Sequence, residues 1–280
     1  MGTDTSNSHE QPRVLILGGT TQGRELAAQL ARQQDSTVWY ALAGRTQKPR
    51  VDGIPPKSIL VGNLGGANGL TRFLREHQVH ALIDATHPFA QQISRNACDA
   101  SARASVPIAR FERTPWIQGQ NDNWHYVAST EAAIAFLLQP HFALRYRKVL
   151  LTIGAAELPA WCNALGVGAH ACVWRAPKVI ARSIEAPLCE LPSNFTNVRA
   201  RGPFSVADES QLITDQRVEL IVSKLSGGST GYSKVLAARQ HCVPMLMLTP
   251  PALPAAQSFS TVAQMVRWVT EAAGRSKHAT

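Results

Sequence analysis

The first half of the chain alternates short runs of β-branched or apolar residues with longer amphipathic segments. The runs predict strands at Val14–Leu17, Thr37–Leu42, Ile59–Val61, Ala81–Asp84 and Val106–Arg110. The segments between them predict helices at Arg24–Gln33, Leu70–His77 and Ala90–Ala104. Strands that alternate with helices indicate βαβ crossovers, and therefore a parallel sheet covered by helices on both faces.

The second half resumes this alternation after a loop at Thr114–Asn123 that contains proline and glycine. Its apolar runs predict strands at Val149–Ile153, His170–Trp174, Leu220–Ser223 and Met245–Leu248. Its other segments predict helices at Glu131–Leu138, Val206–Thr214, Ser233–Gln240 and Val262–Ala273. A further helix is predicted to begin near Ala156. The proline-rich stretch Ala176–Arg199 is predicted to be irregular.

These patterns predict an α/β protein with two Rossmann-like domains, each built on an open parallel sheet, and an inter-domain cleft. We expect the first domain to span residues 12–140 and the second to span residues 141–280. Residues 1–11 are polar and lack the apolar core of a secretion signal, so they are expected to form a disordered tail. Ligands of open α/β sheets bind beyond the carboxyl ends of the strands, which puts the expected site in the cleft.

Composition narrows the class of protein without identifying a ligand. With 45% hydrophobic and 17% charged residues, the chain is typical of a globular protein, and it has no apolar run long enough to cross a bilayer. The five cysteines lack paired spacing, which favours reduced thiols in a cytoplasmic protein over a metal or disulfide framework. The net charge of +9 indicates an acidic partner, either nucleic acid or a polyanionic small molecule, and no nucleic-acid-binding signature is present.

A glycine-rich turn follows the first predicted strand. Gly18 and Gly23 keep the spacing of the outer glycines in the dinucleotide-binding motif G-x-G-x-x-G, whereas Thr20 replaces the middle glycine. Gly18 and Gly19 permit a tight turn, and the N–H groups that open the next helix can hold a phosphate. The hydroxyls of Thr20 and Thr21 can add donors. A purely structural turn is the alternative, but the position between a strand and a helix favours nucleotide binding.

The second predicted strand runs into Gly44, Arg45 and Thr46. At this place NAD-binding units carry an acidic residue that bonds the ribose 2′-hydroxyl, whereas an arginine accommodates a 2′-phosphate. Lys48 follows as a second cation. We therefore predict NADPH as the cofactor, with Gly44, Arg45 and Thr46 among its ligands. The alternative is that Arg45 is an ordinary arginine on the surface.

Two further strand ends carry candidate residues. Gly65 and Gly66 lie in the glycine-rich turn after the third strand and can bring backbone close to the cofactor. Thr86 and His87 follow the fourth strand, at the place where a nicotinamide lies in this topology. His87 can bind the substrate or move a proton. The alternative is that Asp84 and Thr86 only cap the next helix.

The order of several short motifs resembles that of the precorrin-6A reductases. They are GGT at Gly18–Thr20, AGRT at Ala43–Thr46, DATHPFA at Asp84–Ala90, RGPF at Arg201–Phe204, KLSGG at Lys224–Gly228, and then Lys234 and AAR at Ala237–Arg239. The resemblance covers Val14–Leu248, and the DATHPFA and RGPF strings are its most specific parts. The chain departs from the family at Leu225, where an asparagine is common.

The resemblance implies an oxidoreductase of corrin (vitamin B12) biosynthesis that uses NADPH to reduce one carbon–carbon double bond of precorrin-6A, giving precorrin-6B. Because that tetrapyrrole carries many carboxylates on a flat ring, the resemblance implies cations and backbone N–H groups around the substrate. The implied substrate-binding residues are His87, Arg201, Lys224, Ser226, Gly227 and Gly228. Lys224 and His87 are also the candidate catalytic residues, since each can donate a proton. Glu209 is interpreted as a charge on a helix face, outside the site.

The alternatives are a cobalt-precorrin-6A reductase, another NADPH-dependent reductase of an anionic substrate, and a non-catalytic tetrapyrrole- or nucleotide-binding protein. A generic reductase has no reason to carry both the DATHPFA and the RGPF strings. A binding protein would hold either ligand without oxidising NADPH. We expect no nucleic acid, membrane or metal among the partners, and transient contacts with neighbouring enzymes of the pathway.

Overall fold

A computed structural model describes residues 11–33, 36–44, 49–167 and 176–276. The chain divides into a first unit, formed by Met1–Glu112 with Ala252–Thr280, and a second unit, Arg113–Pro251. The strands are β1 (Arg13–Leu17), β2 (Thr37–Leu42), β3 (Ile59–Val61), β4 (Ala81–Asp84), β5 (Ile108–Phe111), β6 (Trp124–Val127), β7 (Lys148–Thr152), β8 (Lys178–Ser183), β9 (Phe195–Arg199), β10 (Leu220–Lys224), β11 (Met245–Leu248) and β12 (Gln257–Phe259). The helices are α1 (Thr21–Arg32), α2 (Gly66–Glu76), α3 (Gln91–Ala104), α4 (Thr130–Leu138), α5 (Pro140–Arg145), α6 (Leu158–Leu165), α7 (Val206–Gln216), α8 (Ser233–Gln240) and α9 (Val262–Ser276).

The first unit contains a parallel sheet of six strands in the order β12-β5-β4-β1-β2-β3. Val14, Leu15 and Ile16 of β1 are fully buried, which is why an uninterrupted apolar run predicts this central strand. The chain runs outward from β1 to β3 and then crosses back to β4, on the other side of β1. β1 and β4 therefore flank the switch point, the crevice at which open α/β sheets bind their ligands.

The end of the chain returns to the first unit. β12 pairs with β5, and α9 packs Met265 and Trp268 into the core that β1, β2, β4 and α1 form. The predicted boundary after residue 140 therefore differs from the observed division, because β6 and α4 belong to the second unit. β12 has three residues and only one large apolar side chain, so its sequence carries no strand pattern.

The second unit contains a parallel sheet of six strands in the order β6-β11-β10-β7-β8-β9. Here β7 and β10 flank the switch point, because the chain passes from β7 to β9 on one side and continues with β10 on the other. The two sheets with their helices confirm the predicted α/β class.

The stretch 176–199, predicted to be irregular, contains β8 and β9. Val179, Ile180 and Ala181 are buried as β8 pairs with β7, and the prolines of the stretch lie outside the strands. The prediction is therefore wrong, because the prolines obscured two short strands. The predicted strand His170–Trp174 and residues 1–10 of the predicted tail lie outside the described residues.

Local chemistry makes two helices begin earlier than the apolar pattern predicts. Thr20 caps α1, so the helix begins at Thr21, and Gly65, with φ +79°, allows α2 to begin at Gly66. These caps place both helix starts at the carboxyl ends of β1 and β3. Among the helices that the structure describes, none is both long and apolar enough to span a membrane.

Trp268 tests whether α9 belongs to the first unit. Its indole is buried in that core and donates a hydrogen bond to the side-chain oxygen of Gln257 in β12 at 3.0 Å. We expect Trp268→Ala to lower the free energy of unfolding by about 3–5 kcal/mol in urea denaturation, because it leaves a cavity. Hydrogen exchange should show that β1 and β4 lose protection.

The exposed neighbour Arg267 is the control for this substitution. Arg267→Ala should change the free energy of unfolding by no more than about 0.5 kcal/mol. Protection lost in β10 and β11 while β1 and β4 keep theirs would contradict the assignment of α9 to the first unit.

Candidate functional site

Tyr40 of β2 fixes the turn that follows β1. The Gly19 N–H donates a hydrogen bond to the Tyr40 hydroxyl at 3.1 Å, and the Gly18 N–H donates to the Ala41 carbonyl at 2.8 Å. A Cβ atom on Gly18 would lie 2.2 Å from the Tyr40 ring, so a larger residue would displace the turn. Gly19 has φ +110° and open space where a Cβ would lie. This part of the backbone is therefore accessible to a ligand at close range.

Thr20 connects the start of α1 to the end of β4. Its hydroxyl oxygen accepts a hydrogen bond from the Gly23 N–H at 3.1 Å, and the hydroxyl donates to the Ala85 carbonyl at 2.8 Å. Because this uses the hydroxyl's single proton, the predicted donation from the Thr20 side chain to a phosphate does not fit the structure. Gly23 is also needed here, since a Cβ on it would lie 2.8 Å from the Ala85 Cβ.

The first turn of α1 leaves backbone N–H groups available. Within the described ranges, no residue accepts a hydrogen bond from the N–H of Thr21 or Gln22. The first turn also contains no acidic side chain that would compete with an anion. The partial positive charge at such a helix end favours phosphate. The turn and helix start at Gly18–Gln22 therefore have the chemistry of a phosphate site.

The end of β2 leads to the predicted 2′-phosphate residues. Gly44 has φ +69°, and a Cβ on it would lie 3.4 Å from a methyl group of Val61 in β3. A left-handed backbone beside a neighbouring strand requires glycine at this position. Arg45 and Thr46 lie outside the described residues, so their contact with a phosphate stays a prediction.

Gly65 and Gly66 form the strand-to-helix turn between β3 and α2. Both have positive φ, +79° and +63°, and the Gly65 N–H donates to the Asn63 side-chain oxygen at 2.9 Å. A Cβ on Gly66 would be 3.9 Å from the Asn96 amide nitrogen of α3, so the space beside it is open. The geometry fits both a simple turn and a close approach of a cofactor.

The residues after β4 lie at the switch point of the first sheet. Asp84 is buried and accepts hydrogen bonds from the N–H and the hydroxyl of Thr86, at 3.2 and 2.7 Å. Arg110 of β5 forms an ion pair with the same carboxylate at 3.3 Å. The Phe89 N–H donates to His87 Nδ1 at 3.3 Å, so the proton of a neutral His87 lies on Nε2. Asp84 thus orients the segment that carries Thr86 and His87.

The corresponding strand end in the second unit carries Lys224. Its ammonium forms an ion pair with Glu157, which lies immediately before α6. The Ser226 N–H donates to the Lys224 carbonyl at 2.9 Å, so the chain turns sharply after β10. Lys224 and Ser226 therefore lie at the carboxyl end of β10, as the sequence predicts.

Lys234 of α8 is a candidate that the sequence singled out only as part of a motif. Its ammonium donates to the hydroxyls of Thr152 at the end of β7 and Ser223 of β10, at 3.1 and 3.3 Å. It therefore bridges the two strands that flank the switch point of the second sheet. Burial, and then the positive charge of Arg182, lower the pKa of Lys234 to about 8, although Glu209 acts in the opposite direction.

Glu209 is buried, whereas the sequence pattern places it on a solvated helix face. Its carboxylate forms a bidentate ion pair with Arg182 of β8 at 2.8 and 2.9 Å. The Arg182 guanidinium also lies 4.2 Å from the centre of the Phe204 ring, which fixes the RGPF segment. Both oxygens of Glu209 are engaged by Arg182, and among the described residues no carboxylate forms an ion pair with the Lys234 ammonium, which donates to the two hydroxyls.

Arg201 of the RGPF segment is exposed and loosely held. Its guanidinium lies 3.7 Å from the Glu185 carboxylate, and both side chains are partly accessible to water. Such an exposed pair contributes little to stability, about 0–1 kcal/mol. An anionic ligand can therefore compete for Arg201 at low cost.

Two hydrogen bonds connect the loop after β10 to the segment that follows β5. The Gly228 N–H donates to the Thr114 carbonyl at 2.8 Å, and the buried Trp116 indole donates to the Gly228 carbonyl at 2.6 Å. A Cβ on Gly227, where φ is +63°, would lie 2.7 Å from the Thr114 carbonyl and 3.3 Å from the Arg113 Cβ. The predicted residues Gly227 and Gly228 are thus held beside Arg113.

Arg113 is a second cation that the sequence patterns did not select. Burial lowers the pKa of its guanidinium, and no carboxylate in the described part of the chain forms an ion pair with it. Its only sequence signal is the motif RTPW at Arg113–Trp116. A partly buried arginine that has no carboxylate partner among the described residues is a suitable anchor for an anionic ligand.

Comparisons with known proteins agree on one family. The family described as "Precorrin-6x reductase CbiJ/CobK" has a sequence profile that matches residues 13–270. The chain is 38% identical to the precorrin-6A reductase of Rhodococcus erythropolis over 258 residues, 92% of this chain and 97% of that one. It is 27% identical to the cobalt-precorrin-6A reductase of Priestia megaterium, over 90% of this chain and 96% of that one. The solved structure of "CobK precorrin-6A reductase" superimposes with a TM-score of 0.82 at 33% identity, covering 94% and 97% of the two chains.

The position of Lys234 predicts an unusual dependence of stability on pH. Its pKa is about 8 in the folded protein, against an ordinary value of 10.5 for a lysine in water, so the unfolded chain binds more protons between these values. This side chain therefore makes the free energy of unfolding rise as pH increases from about 8 to 10.5. Lys234→Met should abolish that rise and, at pH 7 without ligand, stabilise the protein by about 1 kcal/mol or more.

Urea denaturation at a series of pH values measures both effects. The exposed Lys178, at the opposite, amino-terminal end of the second sheet, provides the control Lys178→Met, which should keep the pH dependence of the wild type. If Lys234→Met lost stability at pH 7 and kept the alkaline rise, the ammonium would be compensated in the folded protein, contrary to the geometry described above.

Proposed function

This chain belongs to the precorrin-6x reductase family, and we propose that it reduces one carbon–carbon double bond of precorrin-6A with NADPH, giving precorrin-6B in cobalamin biosynthesis. The observation that carries the proposal is the family match along 13–270, combined with the candidate residues at the two switch points. The same match assigns the chain to the oxidoreductases. No metal or nucleic acid enters the proposed reaction.

The first unit supplies the chemistry for a dinucleotide. Counting β12 as the sixth strand, its sheet has the strand order 3-2-1-4-5-6 of dinucleotide-binding folds. Gly19 has open space at its Cα, and the N–H groups of Thr21 and Gln22 are available for phosphate. These residues fit a pyrophosphate, with Gly18, Gly19, Thr20 and Thr21 contributing backbone.

The specificity for NADPH over NADH is a separate part of the proposal. We assign the 2′-phosphate to Arg45, with Gly44 and Thr46 beside it, because the residue after β2 reads the ribose in this fold. The positive φ of Gly44 supports a chain that bends at this point. Gly65, Gly66 and Thr86 are the remaining proposed cofactor contacts, each at the carboxyl end of a strand of the same sheet.

When bound, NADPH supplies a hydride, and the protein must orient the acceptor and provide for a proton. We propose that His87 or Lys224 donates this proton. His87 has a proton on Nε2 when neutral, because Nδ1 accepts the hydrogen bond of Phe89. Lys224 places an ammonium group, paired with Glu157, at the carboxyl end of β10.

The second unit supplies cations for the carboxylates of the tetrapyrrole. We propose that Lys224 and Arg201 bind substrate carboxylates by exchanging their partners Glu157 and Glu185 for the ligand. Of the three predicted backbone donors that follow, the N–H groups of Ser226 and Gly228 are engaged by the carbonyls of Lys224 and Thr114, so only the Gly227 N–H is proposed as a donor to the substrate. Such an exchange costs little free energy because one charge-assisted hydrogen bond replaces another.

Arg113 and Lys234 extend the proposed substrate site beyond the residues selected from the sequence. Neither has a carboxylate partner among the described residues, so each retains donors for an anion. Burying a cation without a counter-charge costs stability, and binding of an anionic ligand removes that cost.

We propose the metal-free macrocycle as the substrate. The identity to the precorrin-6A reductase of Rhodococcus erythropolis, 38%, exceeds the 27% found with the cobalt-precorrin-6A reductase of Priestia megaterium. A direct test of this preference is a comparison of kcat/KM for precorrin-6A and its cobalt complex.

We also propose a cytoplasmic location, as predicted from the sequence. Cysteines in the described part of the chain carry free thiols, which is in keeping with that location.

Arg45→Ala tests the assignment of the 2′-phosphate. Loss of a charge-assisted contact worth about 1.5–3 kcal/mol should weaken NADPH binding roughly 10- to 100-fold and leave NADH binding nearly unchanged. Titrations of protein fluorescence with each cofactor give the two dissociation constants.

The control for Arg45 is Arg32→Ala, an exposed arginine at the opposite end of α1. It should bind both cofactors as the wild type does. An equal loss of NADPH and NADH affinity in Arg45→Ala would refute a role in reading the 2′-phosphate.

Lys224→Ala tests the substrate side of the proposal. We expect the KM for precorrin-6A to rise about 10-fold or more, because a charged hydrogen bond to a carboxylate is lost, while the Kd for NADPH stays unchanged. A lower kcat in addition would indicate that Lys224 also serves in proton transfer. Lys178→Ala, at the other end of the sheet, should leave all three constants unchanged. Unchanged steady-state kinetics in Lys224→Ala would remove this residue from the site.

A further inference from the structure

Two cysteines of the second unit face each other outside the residues assigned to either ligand. The Sγ atoms of Cys162 and Cys189 are 3.7 Å apart, and both are free thiols. Cys162 lies on the buried face of α6, and Cys189 lies in the crossover that connects β8 to β9. A disulfide holds its sulfur atoms about 2.0 Å apart, so closing this pair requires a movement of less than about 2 Å.

Helix α6 and the crossover between β8 and β9, which carry the two thiols, also contact each other at the end of α6. A Cβ on Gly166, just after α6, would lie 2.8 Å from the Pro192 side chain, so the crossover packs directly on the end of the helix. The Asn194 side chain donates to the Leu165 carbonyl at 2.9 Å and accepts from the Val167 N–H at 3.0 Å. The distance between the sulfur atoms is therefore set by a packed scaffold.

The two thiols differ in their access to solvent. Cys162 is buried, and this burial, followed by the neighbouring sulfur of Cys189, raises the pKa of its thiol. Cys189 is the more exposed of the two. An oxidant from solvent therefore reaches Cys189 first, and Cys162 is placed to react with the product.

We propose that Cys162 and Cys189 form an oxidative modification site at which a hydroperoxide converts the two thiols into a disulfide. The Cys189 thiolate attacks the peroxide, the O–O bond breaks, and the products are a sulfenic acid and, for hydrogen peroxide, water. The Cys162 sulfur then attacks the Cys189 sulfur, the S–S bond forms, and the hydroxyl leaves with a proton as water. In total, two thiols are oxidised by two electrons, and one hydrogen peroxide is reduced to two waters.

The cross-link joins two elements that neighbour the proposed substrate cations. α6 follows Glu157, the partner of Lys224, and the crossover also carries Glu185, the partner of Arg201. The disulfide therefore ties together the chain segments that hold these two carboxylates. The proposal itself does not depend on the identity of the substrate, because it rests on the two thiols and their scaffold.

Mass spectrometry of the whole protein tests the proposal. The reduced protein is freed of reductant, treated with a stoichiometric amount of hydrogen peroxide, and quenched with N-ethylmaleimide. We expect the wild type to lose the mass of two hydrogen atoms and to show two fewer alkylated thiols, and dithiothreitol should reverse both changes. Peptide mapping should identify the cross-link between the peptides that contain Cys162 and Cys189.

Variants separate this pair from the other cysteines. Cys189→Ser and Cys162→Ser should each abolish the loss of two hydrogen atoms, and Cys189→Ser is the safer variant because its site is less buried. Cys242→Ser, at an exposed position on another part of the second unit, and Cys172→Ser should keep the wild-type response. Addition of oxygen without a cross-link, or a cross-link to any other cysteine, would overturn the proposal.

Discussion

The hydroxyl of Thr20 joins the two strand ends that flank the switch point of the first sheet. By accepting from Gly23 and donating to Ala85, it holds the start of α1 against the end of β4. The close packing of Gly23 on Ala85 and of Gly18 on Tyr40 depends on this arrangement. Because the Thr20 side chain and the N–H groups of Gly18 and Gly19 are engaged within the protein, the donors available at the start of α1 are the N–H groups of Thr21 and Gln22, which suit a pyrophosphate.

In the second sheet a charged side chain connects the two strand ends that flank the switch point. Lys234 of α8 bridges the ends of β7 and β10 through the hydroxyls of Thr152 and Ser223. In the first unit the bridging group, the Thr20 hydroxyl, is neutral, so the dipole of α1 is the main electrostatic feature of the strand ends. In the second unit the bridging group, the Lys234 ammonium, is charged, so binding of an anion would offset the cost of burying it. This difference is consistent with the two ligands proposed above, a dinucleotide for the first unit and a polycarboxylate for the second.

The central parts of both sheets were predictable because they are buried on both faces. β2, β4 and β11 have the predicted bounds, since an uninterrupted apolar run marks each of them. The edge strand β3 also has the predicted bounds, because its three residues are all apolar and β-branched or aliphatic although none of them is buried. β6 and β12 at the sheet edges carry no such run, and prolines obscured β8 and β9. The return of β12 and α9 to the first unit depends on pairing with β5, a contact between distant parts of the chain. Sequence periodicity depends on local structure, so it predicts which segment forms a strand or a helix but not which sheet that element joins.

The candidate site shows the same limit. Strand-end residues such as Gly18, His87 and Lys224 were predictable because topology alone puts them at the carboxyl ends of strands. Sequence patterns do not select Lys234 or Arg113 as site residues, because their importance comes from burial and from having no carboxylate partner among the described residues. Glu209 was misread because its pairing with Arg182 of β8 spans distant segments. In each case the deciding fact is burial or a contact between distant segments of the chain, which composition and spacing do not encode.

The proposed function requires that a hydride pass directly from NADPH to the macrocycle. The most direct measurement uses NADPH deuterated at C4 of the nicotinamide, in its two stereoisomers separately, with precorrin-6A in ordinary water. The account predicts that one stereoisomer yields precorrin-6B containing one deuterium atom, detected by mass spectrometry, and that the other yields none. A product without deuterium from both stereoisomers would contradict direct transfer and, with it, the proposed function.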